Sequence, residues 1–84
     1  AAETALLAKA NGSLRIGDAE SALDDVAEHA HKFPHGKLSE EFAATKVAAL
    51  CALGRTGEGM KARDAFLSKW PHSVHAARVA DACR

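Results

Sequence analysis

Apolar residues recur along this chain at intervals of three and four, the spacing that puts side chains on one face of a helix. The pattern predicts a first helix from about Glu3 to Ile16, whose apolar face consists of Leu6, Leu7, Ala10 and Leu14. A second helix follows Gly17, with Asp18 as its N-cap and Glu20 in its first turn, where the helix dipole favours negative charge. Its predicted buried set is Ala22, Leu23, Val26, Ala30 and Phe33.

Three further helices are predicted in the second half of the chain. The third runs from about Leu38 to Leu53 and buries Phe42, Val47, Leu50 and Leu53. The fourth begins after Gly54 with Thr56 as its cap, and it buries Met60, Ala62, Phe66, Leu67 and Trp70. Gly57 and Gly59 each weaken its first turn by roughly 1 kcal/mol relative to alanine, so we expect that turn to fray. The fifth, capped by Ser73, runs from His75 to about Cys83 and buries Ala76, Val79, Ala80 and Cys83.

Two pairs of helix-breaking residues divide the chain at the same interval. Gly17 and Gly54 lie thirty-seven residues apart, and so do Pro34 and Pro71. Proline ends the helix that precedes it, and glycine permits the tight turn between two helices. The internal repeat predicts a single all-α domain of about five antiparallel helices, as in a helical solenoid. Its parts are two helix pairs, at about 3–35 and 37–72, and a closing helix at about 74–83.

Composition supports helix and narrows the class of partner. Alanine is frequent, tyrosine does not occur and β-branched residues are few, which disfavours a sheet protein. The formal charge is zero, so the chain has no basic field to attract nucleic acid or an anionic membrane. Its longest apolar run, VAALCAL at 47–53, is far shorter than the ~20 residues that span a bilayer. We therefore expect neither nucleic acid as a partner nor direct membrane insertion.

A domain of 84 residues gains no more than ~3–5 kcal/mol of net stability from a single core, so extra support is expected. A Cys51–Cys83 bridge, self-association or neighbouring repeats in a larger parent protein could each supply it. We favour neighbouring repeats, because the first residues read as a helix already under way.

The sequence resembles the tetratricopeptide repeat family, in the long-period version found in bacterial envelope proteins. In that version the second helix of each repeat ends in an aromatic residue, proline and a small polar cap, matched here by FPHG at 33–36 and WPHS at 70–73. The glycine between the helices is matched by Gly17 and Gly54, and the small residue early in the second helix by Ala22 and Gly59.

The chain departs from the family pattern at two positions. The family usually has a bulky apolar residue eight positions before the proline, whereas this chain has Val26 in one repeat but Arg63 in the other. The family also has one five positions before the proline, whereas this chain has Phe66 in one repeat but His29 in the other. The joint register of the motifs, rather than any single motif, carries the resemblance.

The resemblance implies a protein-interaction or scaffold module that receives a peptide or helix on the concave surface formed by the first helices of successive repeats. The implied partner-binding residues are Thr4, Leu7, Asn11, Arg15, Glu41, Ala44, Ala48, Ala52, Arg78 and Asp81. The alanines leave space at the floor, while Arg15, Glu41, Arg78 and Asp81 can fix orientation by paired hydrogen bonds. The alternative is a structural or self-associating domain without an external ligand, pairing as a homo-oligomer through the apolar edge of the closing helix.

Enzymatic chemistry and a metal centre find little support in the residues. His29 and His31 are two apart and point to different sides of a helix, and His72 and His75 have no further ligand beside them. Cys51 lies among alanine and leucine, as an inert buried thiol would, and the chain has no glycine-rich phosphate loop. We expect no catalytic residue, no metal and no cofactor.

The two cysteines have two interpretations that the sequence leaves balanced. A bridge between Cys51 and Cys83 suits the cell envelope, whereas two reduced thiols suit the cytoplasm. In the family that the sequence resembles, the helices that carry these residues lie side by side, so a bridge could form. The resemblance leads us to expect a periplasmic or envelope location, and the state of the two cysteines stays open.

Overall fold

The computed structural model describes all residues from Ala1 to Arg84, and its regular secondary structure consists of helices alone. The helices are α1 (Ala2–Arg15), α2 (Ala19–Lys32), α3 (Ser39–Ala52), α4 (Thr56–Lys69) and α5 (Ala76–Asp81). The predicted all-α class and the number of helices are confirmed. The closing helix is shorter than predicted, because regular α-helix ends at Asp81 rather than near Cys83.

The turns inside the two helix pairs follow the predicted glycines. Gly17 and Gly54 have φ angles of 85° and 74°, in the left-handed region that favours glycine. Asp18 caps α2, since its Oδ1 accepts a hydrogen bond from the Ser21 N–H at 3.1 Å. The prediction that Thr56 caps α4 is wrong.

Arg55 occupies the N-cap position of α4, and Thr56 is already helical. No side chain caps this helix through a hydrogen bond. Instead, the Arg55 guanidinium donates two hydrogen bonds to the Glu58 carboxylate, at 2.7 and 2.8 Å. This exposed two-point contact joins the N-cap residue to the first turn of the helix.

The helices stack in two layers. α1 packs on α2 to form the first pair, and α3 packs on α4 to form the second. α2 also packs on α3, which joins the two pairs, and α4 packs on the closing helix α5. α1 and α5 also pack against α3, so the first helices of successive pairs lie side by side. α2 and α4 make no close approach to each other. None of the five helices combines the length and the apolar character needed to cross a membrane.

The core consists of three small clusters of buried side chains. They are Leu6, Ala10 and Phe42; Ala19, Ala22 and Ala49; and Ala44, Val47, Phe66 and Val79. Two residues predicted to be buried are exposed, Ala30 and Met60, the latter with an exposed fraction of 41%; several others, among them Phe33, Leu53 and Trp70, are only half-buried. On α4 the inward position beside Met60 belongs to Gly59.

Helix α2 is rotated from its predicted orientation, because two polar residues lie on its buried face. Asp25 and His29 are 4% and 5% exposed, whereas the apolar Leu23 and Val26 are only half-buried. Both polar side chains find partners on α1. Lys9 Nζ lies 3.3 Å from Asp25 Oδ1, although Asp25 Oδ2 has no hydrogen-bond partner. These partners on α1 reduce the free-energy cost of burying the two polar side chains. Because the partners lie on another helix, the sequence periodicity of α2 alone cannot predict them.

His29 belongs to a buried network centred on the Glu3 carboxylate. Its Nε2–H donates to Glu3 Oε2 at 2.8 Å, and the backbone N–H of Leu38 donates to the same oxygen at 3.0 Å. The imidazole stacks on the Phe42 ring with centroids 3.7 Å apart. A Cβ at Gly36 would overlap the Glu3 carboxylate, so this position favours glycine. One carboxylate therefore connects α1 to α2 and to the turn before α3.

The second helix pair has a carboxylate at the equivalent position, thirty-seven residues after Glu3. The Ser73 hydroxyl donates a hydrogen bond to Glu40 Oε2. The same hydroxyl accepts a bond from the His75 N–H at 3.0 Å, next to the start of α5. Ser73 replaces Gly36 in this repeat, and Phe66 replaces His29. We call these contacts of Glu3 and Glu40 the carboxylate clips.

A disulfide joins Cys51 and Cys83, whose Cα atoms are 4.9 Å apart. No cysteine remains free. The bridge connects the last turn of α3 to the segment after α5, and it passes close to Gly59 of α4. A Cβ at Gly59 would lie 2.7 Å from Cys83 Sγ and 2.8 Å from Cys51 Sγ, closer than real Cβ contacts. Gly59 therefore makes room for the disulfide.

Replacing Glu3 with glutamine tests the first clip. The hydrogen bond from His29 is the main reason that the pKa of Glu3 lies below its usual range, and the Leu38 N–H adds to it. A lowered folded-state pKa contributes stability above the unfolded-state pKa that is lost as pH falls through the folded value. Glu3→Gln should therefore be less stable than wild type at pH 7, and the gap should close as the pH falls below the usual glutamate pKa and through the lowered pKa of Glu3.

Urea unfolding followed by circular dichroism at several pH values would measure this gap. Asp64→Asn is the matched control, because the Asp64 carboxylate is exposed and pairs only with the adjacent Arg63. A gap that stays constant with pH would contradict the role given to the Glu3 carboxylate.

A pair of glycines in α4 tests the packing around the disulfide. Gly57→Ala should stabilise the protein by up to about 1 kcal/mol, since a Cβ there meets open space. Gly59→Ala should destabilise the oxidised protein, and its penalty should shrink on reduction, when the two sulfurs can separate. Reduction itself should remove ~3–4 kcal/mol of stability in the loop-entropy model. Denaturant unfolding with and without a reductant measures all three effects, and equal behaviour of the two variants would contradict the account.

Candidate binding surface

The candidate surface is the exposed side of the layer formed by α1, α3 and α5, called here the α1/α3/α5 face. Five of the sequence-predicted binding residues are exposed: Asn11, Arg15, Ala52, Arg78 and Asp81. Three are half-buried: Leu7, Glu41 and Ala48. On α3, positions 41, 48 and 52 share one side of the helix by their spacing. Thr4, at the start of α1, is exposed as well.

Ala44 does not belong to this surface. It is 1% exposed and packs with Val47, Phe66 and Val79 in the core cluster beneath α5. Its prediction as a partner-binding residue is therefore wrong. Position 44 shares a side of α3 with Ala48 by its spacing, but the closing helix covers it, and its small side chain permits close packing of α5 on α3.

A buried hydroxyl holds one polar residue of the face in place. Thr45 is 1% exposed, and its Oγ1 lies 3.0 Å from Asn11 Oδ1 and 3.1 Å from the Glu41 carbonyl oxygen. The contact with Thr45 anchors one end of the Asn11 amide, and the other end has no partner in the chain. Thr45 is not among the sequence-predicted residues. Its position between Phe42 and Ala49, at spacings of three and four, was the available signal.

A second group of polar side chains joins α3 to α5. His75 Nε2 lies 3.8 Å from Glu41 Oε2, and its Nδ1 lies 3.3 Å from Arg78 Nη2, which donates to it. Asp81 pairs with Arg84 at 3.2 Å. Arg15, on the α1 side, makes no ion pair. The face thus has orientable polar groups on both sides of the strip formed by Ala48 and Ala52.

The α1/α3/α5 face is shallow. The four cavities of the structure open elsewhere, and none is lined by a residue predicted to bind a partner. The largest, of about 600 Å³, lies between α2 and α4 on the other side of α3. Any partner segment on this face must therefore lie along the surface rather than enter a pocket.

The titratable side chains of the molecule are not arranged as a metal centre. No group of three or more His, Cys, Asp or Glu side chains is placed to hold a metal ion. His29 contacts Glu3 and Phe42, and both cysteines are in the disulfide.

Comparison with known proteins found no match: no protein-family model, no curated protein and no solved structure matches the chain. The resemblance to tetratricopeptide repeats therefore rests on the sequence motifs alone and stays a prediction.

Changes on the α1/α3/α5 face should leave folding intact. Arg78→Ala removes an exposed side chain with one partly exposed neighbour, so it should change stability by less than about 1 kcal/mol. Val79→Ala, the adjacent residue, empties a core position that is 1% exposed and should cost about 2 kcal/mol or more. Urea unfolding of both variants measures the difference. A loss for Arg78→Ala as large as for Val79→Ala would mean that the face is part of the core.

Proposed function

We propose that this chain is a protein-interaction module that holds a segment of a partner protein, extended or helical, along the α1/α3/α5 face. One observation carries the proposal: polar groups on α1 and on α5 flank a strip of small side chains on α3. Asn11 and Arg15 stand on the α1 side and Arg78 stands on the α5 side, while Glu41 lies on α3 in line with the strip. Ala48 and Ala52 let the backbone of a partner approach α3 closely.

The polar groups of the face suit recognition of a peptide backbone and of charged side chains. The end of the Asn11 amide that does not contact Thr45 can form a hydrogen bond with the backbone of a peptide. Arg15 is available for a carboxylate, and the Glu41 carboxylate is available for a cationic side chain. Hydrogen bonds that involve an ionised group are stronger than neutral ones, so these contacts would set the orientation of the segment.

Self-association through the closing helix, the alternative, has less support. The only large apolar side chain of α5 is Val79, which is 1% exposed and packs inward on Ala44 and Phe66. The remaining exposed positions of α5 are small or charged. This helix therefore offers a second copy little apolar area.

The proposed setting is a scaffold in the bacterial cell envelope, within a larger protein. The Cys51–Cys83 disulfide supports this location, because such bonds form and persist in oxidising compartments. The sequence resemblance to envelope-type tetratricopeptide repeats points the same way.

Peptides selected from a displayed random library against the wild-type domain would test the binding face. Ala48→Arg and Ala52→Arg should each weaken the selected peptides at least about tenfold, because a long cationic side chain would cover the alanine strip. Binding would be measured by isothermal titration calorimetry.

Ala5→Arg is the matched control, since Ala5 is exposed on α1 but lies on a different side of that helix from Asn11. Its affinity should equal that of wild type. If all three variants bind equally well, or if no peptide is selected, the proposed function is wrong.

A further inference from the structure

The largest concavity of the molecule, called here the α2/α4 groove, lies on the side opposite the α1/α3/α5 face. α2 and α4 form its walls and α3 forms its floor, and its volume is about 600 Å³. Most of the residues that line it are apolar, including Leu23, Ala27, Leu50 and Ala62. The groove is open to solvent and its lining on α2 extends from Leu23 to Ala30, about two helical turns, so it fits another helix better than a small molecule.

The core of the chain uses only part of the apolar stripe of α2 that faces this groove. Leu23 and Val26 each pack against a core cluster, but both stay half-buried, and Ala30 is exposed. The reason is that Asp25 and His29 occupy the buried side of α2. The exposed part of the stripe is therefore left available to a helix from outside.

The groove also has positive charge that the chain does not neutralise. Lys46 on α3 and Lys61 on α4 line it, are exposed and make no ion pair. Arg55, at the end of the groove, is already paired with Glu58. A matching helix should therefore combine small apolar side chains with carboxylates.

The outward edge of α2 has this chemistry. Glu20, Asp24, Ala27 and His31 are spaced by four, three and four residues, so they share one stripe, and all four are exposed. Neither Glu20 nor Asp24 makes an ion pair within the chain. The chain thus exposes an acidic helix edge next to a basic groove on the same side of the molecule. Within one copy, Glu20 and Asp24 form no ion pair with Lys46 or Lys61.

We propose that two copies of the chain associate about a two-fold axis, with α2 of each copy lying in the α2/α4 groove of the other. Across the interface the helices then follow the order α4 of the first copy, α2 of the second copy, α2 of the first copy and α4 of the second copy. The interface is closed, because the same surface serves on both copies and no free groove remains. Asp24 and Glu20 of one copy face Lys61 and Lys46 of the other.

Such a dimer leaves both α1/α3/α5 faces exposed on its two outer sides. If each face binds a partner segment as proposed above, the dimer is bivalent and gains avidity for a partner with two such segments. Only this bivalency rests on the proposed function, and the dimer itself does not.

Sedimentation velocity of the disulfide-bonded chain across a wide range of concentration tests the proposal. Wild type should show a concentration-dependent monomer–dimer equilibrium that weakens as salt is added. Lys61→Glu and Asp24→Lys should each raise the dimer Kd at least about tenfold. The double variant, which restores opposite charges across the interface, should recover much of the loss.

Ala52→Arg, on the opposite face, should dimerise like wild type even where it abolishes peptide binding, so failure of the dimer and failure of the proposed function are distinguishable. A chain that stays monomeric at every concentration would overturn the proposal and leave the groove to an unrelated acidic helix. A dimer whose Kd is unchanged by both single substitutions would place the interface elsewhere and overturn the proposal. So would a double variant whose loss of dimer affinity equals the sum of the two single losses.

Discussion

One carboxylate in each helix pair determines where the following helix starts. Glu3 accepts hydrogen bonds from His29 on the second helix and from the Leu38 N–H at the start of α3, and Glu40 accepts one from Ser73 before α5. These contacts are worth more than their number suggests, because an ionised acceptor strengthens each bond and burial reduces competition from water. The layer of α1, α3 and α5, and every surface built on it, depends on this repeated contact.

The closing helix needs a second constraint, because its six residues are too few to form a stable helix alone. Val79 anchors it in the core, and the Cys51–Cys83 bridge ties the segment that follows it to the end of α3. The bridge in turn requires Gly59, whose position in the first helix pair belongs to Ala22. Gly59 is unfavourable for the start of α4 by helix propensity, but the missing Cβ leaves the space that the disulfide occupies.

Periodicity and turn chemistry predict most of the fold, because helix spacing and the positions of Gly17, Gly54, Pro34 and Pro71 are local properties of the chain. The failures arise where a residue depends on a partner far away in sequence. His29 and Asp25 are buried because Glu3 and Lys9 meet them, and Ala44 is buried because α5 covers it. For the candidate surface, the exposed residues could be predicted from their place on the first helices, and the spacing of Thr45 indicated that it is buried. The contacts of Thr45 with Asn11 and of His75 with Glu41 could not be predicted, because they join residues of different helices. The disulfide was one of two alternatives, and only the positions of Cys51 and Cys83 in space decide between them.

Two unlike surfaces result from this architecture: a shallow polar face on the first helices and an apolar groove with lysines between the second helices. We assign partner binding to the first of these. Amide chemical-shift mapping of the ¹⁵N-labelled domain with a selected peptide would locate the binding surface. The largest shifts should cluster around Asn11, Ala48 and Arg78. Shifts concentrated instead on Leu23, Ala27 and Ala62, or spread evenly over all five helices, would contradict this assignment.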